Sequence, residues 1–159
     1  SASLVGSEMC IRDRSEFASF DNGSEMSAPK TAGTVTVEGK TNSSKLTFAW
    51  AGSVTDVILP AKYSANGTQT NNAATITGDP GATAEFPFSI ELEFPKNDTI
   101  GEVVRTLKVT ANGGQAAQIA IKQAAGDATL SVSPMEITIP QSGSAVSVNV
   151  TSNTSWTAA

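Results

Sequence analysis

Apolar and polar residues alternate in short runs along most of the chain, a pattern that predicts β-strands with one buried face. The clearest run covers residues 86–94, where large apolar residues alternate with Pro87, Ser89, Glu91 and Glu93. Similar patterns predict further strands over residues 34–38, 45–51, 54–59, 73–77, 102–110 and 116–123. The sequence therefore predicts an all-β chain.

Turn and breaker residues mark where these strands end. Pro60 closes a strand, residues 61–72 are predicted as a loop, and residues 78–81 read Gly-Asp-Pro-Gly, a turn. Pro87 has no amide hydrogen, so its strand is predicted to begin at a sheet edge. Residues 111–114 contain Asn-Gly and predict the turn of a hairpin. About seven strands result, as an immunoglobulin-like β-sandwich requires.

The N-terminal residues do not share this alternation. Residues 15–32 are polar and rich in Ser, Glu and Gly, so we interpret them as a linker or the end of a preceding domain. Residues 4–14 read LVGSEMCIRDR, and part of this run back-translates to DNA that resembles a sequencing adaptor. We therefore interpret residues 1–14 as an artefact. Cys10, the only cysteine, lies there, so no disulfide, thiol nucleophile or cysteine metal ligand is expected.

Charge and composition argue against several classes of function. The net charge is −5 without a cluster of Lys or Arg, which argues against a nucleic-acid partner. No apolar run approaches the roughly 20 residues that a membrane-spanning helix needs. Histidine is absent, which excludes Ser-His and Cys-His catalysis and ordinary zinc sites. We expect a protein that is not an enzyme and that needs no cofactor.

The alternation begins again after residue 127. It predicts three more strands, over residues 129–133, 135–139 and 144–150. Because three strands cannot close a two-sheet core, we expect residues 127–159 to be the N-terminal part of a second sandwich. The apolar side chains expected to be exposed for this reason are Met135, Ile137, Val148, Val150 and Trp156.

A weak internal repeat accompanies this second run of strands. Val35 and Val37 coincide with Ile137 and Ile139 when the chain is shifted by 102 residues. A period near 100 residues is typical of tandem sandwich domains, because solenoid repeats are only about 20 to 50 residues long. The sequence therefore predicts two modules in tandem.

Residues 129–156 read TLSVSPMEITIPQSGSAVSVNVTSNTSW, an order of motifs that resembles the start of a Bacteroidetes-associated carbohydrate-binding often N-terminal (BACON) domain. Residues 105–126, RTLKVTANGGQAAQIAIKQAAG, resemble the closing hairpin of that family. Residues 52–59 depart from it, because they carry valine where the family usually has tryptophan. The resemblance implies one BACON-like module over residues 33–126 and part of another over residues 127–159.

The resemblance also implies a setting and a partner. It implies an immunoglobulin-like β-sandwich in a periplasmic, outer-membrane surface or extracellular protein of Bacteroidetes. Such modules often adjoin glycoside hydrolases or proteases, so neighbouring catalytic or adhesive domains are implied partners. Two functions stay open: a non-catalytic spacer that holds another domain away from the cell surface, and a module that binds polysaccharide or mucin glycans.

Sugar binding needs an exposed aromatic face with polar groups beside it. Trp50 shares a strand face with apolar neighbours, and Trp156 holds a core position of the family, so both are expected to pack inside. Tyr63 lies in a predicted loop and is the candidate platform for a sugar ring. The candidate ligand-binding residues are Tyr63, Lys62, Asn66 and Gln69.

Carboxylates offer two further candidate sites. Glu91 and Glu93 stand roughly 7 Å apart by strand rise, within the range of about 5 to 9.5 Å seen in glycosidase pairs. Their position on the polar face of an amphipathic strand favours a solubilising role. Asp79, or Asn97 with Asp98, offers oxygen ligands for calcium but lacks the dense spacing of a dedicated site. We expect surface turns there and no bound metal.

Overall fold

The structure, a computed structural model, describes residues 15–77 and 85–159. These residues form strands and turns, with no helix long and apolar enough to cross a membrane. The predicted all-β class is confirmed. The strands are β1 (Ala18–Phe20), β2 (Glu25–Ala28), β3 (Gly33–Thr41), β4 (Leu46–Trp50), β5 (Lys62–Ala65), β6 (Thr68–Asn71), β7 (Phe86–Phe94), β8 (Val103–Ala111), β9 (Ala116–Gln123), β10 (Leu130–Ser133) and β11 (Asn149–Ser152).

Two sheets pack face to face as a β-sandwich, which confirms the predicted architecture. One sheet has the strand order β1-β3-β7-β5-β6, and the other has the order β2-β9-β8-β4. Every second side chain of the long strands is buried, because successive side chains point to opposite faces of a sheet. β10 and β11 pair with each other as a separate sheet.

Aromatic rings and branched aliphatic side chains fill the space between the two sheets. The Phe88 ring centroid lies 6.0 Å from that of Phe20 and 5.7 Å from that of Phe48, both edge to face. The same ring presses on β3 at Gly39, where an added Cβ would lie 2.4 Å from it. The residues predicted to point inward from the β8–β9 hairpin, Leu107, Val109, Ile119 and Ile121, are all buried.

β7 is an inner strand of its sheet, so the prediction that Pro87 marks an edge is wrong. β7 pairs with β3 over its whole length but with β5 at only two residue pairs. Pro87 lies beside the turn that ends β5, and its carbonyl accepts the Asn66 amide hydrogen at 2.9 Å. Proline is tolerated in this inner strand because the ladder between β5 and β7 ends beside it.

Residues 15–32 belong to the sandwich, so their interpretation as a linker is wrong. β1 pairs antiparallel with β3, and β2 pairs parallel with β9. Ala18, Phe20 and Ala28 are buried in the core. Strands of three and four residues are too short to show a clear alternation, which is why the sequence pattern missed them. The folded unit therefore extends N-terminally beyond the predicted boundary at residue 33.

Residues 61–72 form a hairpin, so the prediction of a loop is wrong. β5 and β6 pair over four residues on either side of a two-residue turn. Asn66 and Gly67 occupy this turn with φ angles of 50° and 76°, the conformation that Asn-Gly turns of hairpins favour. The hairpin forms the outer edge of the five-stranded sheet.

Two short strand predictions are also wrong. Residues 54–59 form no strand, because Val57 is buried as a single anchor while Ile58 is exposed. Residues 73–77 contribute one bridge, between Thr75 and Lys45. The predicted turn at residues 78–81 lies outside the described residues.

The segment after residue 127 is less folded than predicted. No strand forms over residues 135–139. The strand predicted over residues 144–150 is observed as β11, which ends at Ser152. Met135, Ile137, Val148 and Trp156 are exposed as predicted, whereas Val150 is half-buried. The apolar side of this segment therefore has little contact with the rest of the chain.

β10 and β11 repeat the pairing of β1 and β3, but at a larger offset than the 102 residues predicted. The pair Leu130↔Ser152 corresponds to Ala18↔Thr41. Ser152 stands 111 positions after Thr41, and Leu130 stands 112 positions after Ala18. The segment after residue 127 thus corresponds to the first strands of the sandwich, including β1 within residues 15–32.

Asn42 and Asn153 hold equivalent positions at the ends of these repeated strands. Each side-chain oxygen accepts a backbone amide hydrogen at 2.8 Å. Each side-chain nitrogen donates to the carbonyl of the residue two positions before the one whose amide is bonded, at 3.1 and 2.9 Å. The bonded residues are Ser15 and Phe17 for Asn42, and Asp127 and Thr129 for Asn153. The repeat therefore includes side-chain hydrogen bonds as well as strand register.

Candidate functional site

A shallow cleft of about 410 Å³ lies on the outer, polar face of the five-stranded sheet. The β5–β6 hairpin forms one wall, and the second half of β7 forms the other. Its polar lining side chains are Lys62, Ser64, Gln69, Ser89, Glu91 and Glu93, and Pro60 and Tyr63 also line it. The cleft therefore unites two of the predicted sugar-binding residues with the carboxylate pair considered separately.

Strand pairing explains why the cleft forms here. β5 pairs with β7 at Ser64↔Ser89 and at the neighbouring pair toward the turn, but not toward Glu91. The two strands are therefore not joined by a ladder beside Lys62, and the gap between them is lined by side chains that point away from the core. These side chains are charged or carry hydroxyl or amide groups, which gives the cleft a polar surface.

Tyr63 is buried and is not the exposed aromatic platform that was predicted. Its exposure is 2%, and its ring centroid lies 4.8 Å from that of Phe48 in the core. It alternates with Lys62 and Ser64 along β5, so a strand in place of the predicted loop turns its side chain inward. Tyr63 contributes to the floor of the cleft but offers no ring face to a sugar.

The Tyr63 hydroxyl has no hydrogen-bond partner among the described residues. Burial raises the pKa of the Tyr63 phenol above its ordinary value of 10.0, and the nearby backbone of Leu46 offsets this only in part. A buried hydroxyl without a partner costs stability, because its hydrogen bonds to water are lost on folding.

The remaining predicted sugar-binding residues separate into two places. Lys62 and Gln69 are exposed in the cleft. Asn66 occupies the hairpin turn, where its backbone amide bonds Pro87, and it does not line the cleft. The structure thus brings Lys62 and Gln69 together and leaves Asn66 apart.

Glu91 and Glu93 project from the polar face of β7, as the alternation predicted. Glu93 accepts a hydrogen bond from the Thr34 hydroxyl at 2.5 Å on the neighbouring strand. Among the described residues, no three Asp, Glu, His or Cys side chains converge as a metal site. The pair is an exposed feature of the sheet surface, on the rim of an open cleft.

Asn97 and Asp98, the candidate calcium ligands, bond to other residues of the chain. Asn97 is buried, and its amide nitrogen donates to the carbonyls of Gly101 and Ala124 at 2.8 and 2.9 Å. Its side-chain oxygen accepts the amide and hydroxyl hydrogens of Thr99. The Asp98 carboxylate pairs with a lysine two residues earlier at 2.7 Å. Asp79, the other candidate ligand, lies outside the described residues.

The two tryptophans differ in exposure. Trp50 is half-buried against the core, and its indole nitrogen donates to the Val57 carbonyl at 3.0 Å. Trp156 is 50% exposed, so the expectation that it packs inside is wrong and the expectation that it is exposed is confirmed. It lies in the C-terminal segment and is not among the residues that line the cleft. No described aromatic side chain therefore offers an exposed ring face in the cleft.

Arg105 is a buried cation that the sequence pattern did not identify as important. Its side chain is 5% exposed and pairs with Asp56, while a second guanidinium nitrogen donates to Gln123 at 3.0 Å. The guanidinium also lies 5.0 Å from the centre of the Phe94 ring. The hydrogen bond from Arg105 lowers the pKa of Asp56, although burial opposes this. This network fixes the loop of residues 51–61 to the sandwich.

No family model matches the chain, and no curated protein matches it in sequence.

Proposed function

We propose that this chain acts as a non-catalytic spacer, a β-sandwich module that separates neighbouring domains of a surface or secreted protein. The observation that carries this proposal is that the chain enters and leaves the sandwich at opposite ends. β1 begins beside Thr41, at the C-terminal end of β3. β9 ends beside Val103, where β8 begins, and beside Ala28, where β2 ends.

The strand directions define the length that one module spans. Ala18 lies near the start of β9, because its amide donates to the Gln115 side chain at 3.0 Å. β9 then runs the length of the sandwich and delivers the chain at the other end, near Asn97. Strands of eight or nine residues at about 3.3 Å per residue give roughly 30 Å between the two ends. A module with its ends at opposite poles adds this distance to a longer chain.

The chemistry of the surface supports the same proposal. The cleft presents serine, glutamine, lysine and glutamate side chains, and Tyr63, the aromatic residue among its described lining, points into the core. Sugar-binding sites commonly use exposed aromatic faces, so the cleft lacks the main source of affinity for a sugar ring. The repeated first strands after residue 127 support a tandem arrangement, in which modules follow one another end to end.

The family and the location belong to the same proposal. The motifs of residues 129–156 and 105–126 favour a BACON-type module. For a module of this type, a periplasmic, outer-membrane surface or extracellular protein of Bacteroidetes is the expected setting. Catalytic or adhesive domains of the same protein are the partners that a spacer would hold apart.

A distance measurement tests the spacer geometry. Spin labels are placed at Ser15→Cys and Ala128→Cys in a Cys10→Ser background, because both positions are exposed on either side of the sandwich. We expect a label separation of at least roughly 30 Å, as the strand length requires. A separation near half that value would place both ends at one pole and overturn the spacer proposal.

The alternative function is binding of polysaccharide or mucin glycans in the cleft, where Lys62 and Gln69 supply hydrogen-bond donors. Affinity electrophoresis and a glycan array with the full chain test it. Binding that is lost in both Lys62→Ala and Gln69→Ala, but kept in Lys40→Ala, would favour this alternative. Lys40 is a suitable control because it is an exposed lysine of the same sheet outside the cleft. The spacer proposal predicts no retained glycan.

A further inference from the structure

The first two strands divide between the two sheets of the sandwich. β1 joins the five-stranded sheet beside β3, and β2 joins the four-stranded sheet beside β9. β2 and β9 run parallel, with Glu25 opposite Ala120 and Ala28 opposite Gln123. The first part of the chain is therefore paired directly with the last strand of the same sandwich.

The backbone hydrogen bonds at the two ends of this pair fix which amides face β9. The Ala120 amide donates to the Ser24 carbonyl at 2.8 Å, and the Ala124 amide donates to the Ala28 carbonyl at 3.0 Å. An evenly spaced parallel ladder between these bonds uses the amide of Met26. The amide of Ser27 then faces away from β9, toward the open edge of the sheet.

Side chains reinforce the same connection. Lys122 pairs with Glu25 across the two strands at 2.5 Å. The Gln123 amide nitrogen donates to the carbonyl of Pro29 at 3.2 Å, directly after β2. Lys30 pairs with Asp127 at 2.5 Å. These contacts join the segment from Glu25 to Lys30 to β9 and the residues directly after it.

We propose that the β2–β9 pair is a force-bearing connection that resists extension of the module from its two ends. This inference rests on the proposed spacer function, because a spacer between anchored domains is the part that carries tension. Tension pulls β2 toward its N-terminal end and β9 toward its C-terminal end. Because the strands are parallel, these forces act along the strand axes in opposite directions. All the hydrogen bonds between them must then lengthen together.

β1 experiences tension in the same geometry but through a shorter strand pair, of three residues against four for β2. It pairs with β3 over three residues, and the Asn42 side chain and Thr41 hydroxyl add bonds to Ser15 and Phe17. When β1 detaches, the load passes to the β2–β9 pair. We therefore expect extension in two steps, a short one as β1 detaches and a long one as β2 separates and the sandwich unfolds.

Single-molecule force spectroscopy tests this inference on the full chain. Handles are attached at Cys10 and at Ala128→Cys, so that force acts between the two ends of the sandwich. Met26→Pro removes an amide that faces β9, and we expect the unfolding rate under load to rise by about tenfold, the effect of one lost hydrogen bond. The two-step extension should persist.

Two control variants separate this effect from general destabilisation. Ser27→Pro introduces the same ring in the same strand but at an amide that faces away from β9. Met26→Ala removes the packing of the half-buried Met26 side chain but keeps its amide. We expect both controls to unfold under load at rates much closer to that of the unmodified chain. Equal rates for Met26→Pro and either control would overturn the inference, as would unfolding of the unmodified chain without measurable resistance.

The two proposals fail in different ways. A label separation that places both ends at one pole would contradict the spacer function, whatever the unfolding force. A correct separation with no difference between Met26→Pro and Ser27→Pro would leave the spacer standing and contradict the force-bearing connection.

Discussion

Tyr63 shows how one residue changes the interpretation of a surface. In a loop it would be a sugar-stacking ring, but in β5 it is a core residue whose hydroxyl has no hydrogen-bond partner in the part of the chain that the structure describes. The sequence supplied the signal for the correct answer, because Asn66-Gly67 between short alternating runs is typical of a hairpin. The polar composition of residues 61–72 obscured it, since Thr, Gln and Asn are also common in loops.

The Tyr63→Phe variant should be more stable than the unmodified chain, by about 1 kcal/mol, because it removes a buried hydroxyl that bonds none of the described residues and keeps the ring. The difference should grow above about pH 10, because the raised pKa of the Tyr63 phenol means that folding favours its neutral form. The part of the unmodified chain's stability that depends on the neutral Tyr63 phenol is lost as the pH rises through the pKa of this phenol in the folded state. Urea unfolding at neutral and alkaline pH measures both effects, and a less stable variant would contradict them.

The Asp56→Ala variant should lower the free energy of unfolding by about 2 kcal/mol, because it leaves the buried Arg105 guanidinium without its carboxylate. This value is below that of a fully buried pair, since the Asp56 side chain is 48% exposed. The pKa of Asp56 is lowered, so its contribution is present above the ordinary value of 3.8 and is lost as the pH falls through the folded value.

Urea unfolding at pH 7 and near pH 3 measures this effect, and the difference between Asp56→Ala and the unmodified chain should shrink at the lower pH. The Asp21→Ala variant is a matched control, because Asp21 is an exposed carboxylate outside the Arg105 network. A loss as large in Asp21→Ala would show that the effect does not come from the buried pair.

At the level of strands, length decides what the sequence can predict. β7, β8 and β9 each have eight or nine residues, and their alternation predicted their bounds to within one residue. β1 and β2 have three and four residues and are stabilised by partners far along the chain, which no local pattern contains. The prediction of a strand over residues 54–59 is wrong for a different reason. Its apolar residues belong to a loop, in which Val57 is buried while Ile58 is exposed.

Gly39 in β3 is expected to tolerate no side chain. An added Cβ would lie 2.2 Å from the Ser19 carbonyl oxygen and 2.4 Å from the Phe88 ring, so either β1 or the core must move. Gly39→Ala should cost about 2 to 3 kcal/mol of unfolding free energy, as overpacking does. Gly33→Ala, in the same strand with open space around it, should be neutral or stabilising by less than about 1 kcal/mol. Equal losses in thermal or urea unfolding would contradict the packing described for Gly39.

At the level of the whole molecule, the sequence predicted the sandwich but not the cleft. The strands and their inward faces can be predicted because alternation is a pattern of neighbouring residues in the sequence. The cleft depends on where the β5–β7 ladder stops, and this is set by tertiary pairing between residues more than 20 positions apart. Lys62 and Gln69 were identified for their proximity to Tyr63 in the sequence, and they line the cleft because β5 and β6 pair with each other.

The two repeated asparagines should have separate effects on the molecule. Asn42→Ala removes hydrogen bonds to Ser15 and Phe17 at the start of the sandwich, and should lower its unfolding free energy by about 1 to 2 kcal/mol. Asn153→Ala should change that transition little, because the Asn153 bond to the Asp98 carbonyl at 3.0 Å is exposed, and should weaken the attachment of β10 to β11. Amide hydrogen exchange distinguishes the two, with faster exchange at residues 130–133 only in Asn153→Ala. Faster exchange there in Asn42→Ala as well would contradict their independence.

The spacing of the two asparagines also gives the length of one module, and it can be found from sequence alone. Each stands between two hydroxyl residues, as Thr41-Asn42-Ser43 and Ser152-Asn153-Thr154, and in both the first hydroxyl accepts the amide hydrogen of the third residue. The surrounding strands have diverged beyond simple identity, yet the triplet and its bonds recur 111 positions apart. A search for hydroxyl-Asn-hydroxyl triplets at this spacing, each preceded by an alternating strand, would count modules and measure their length in related genes.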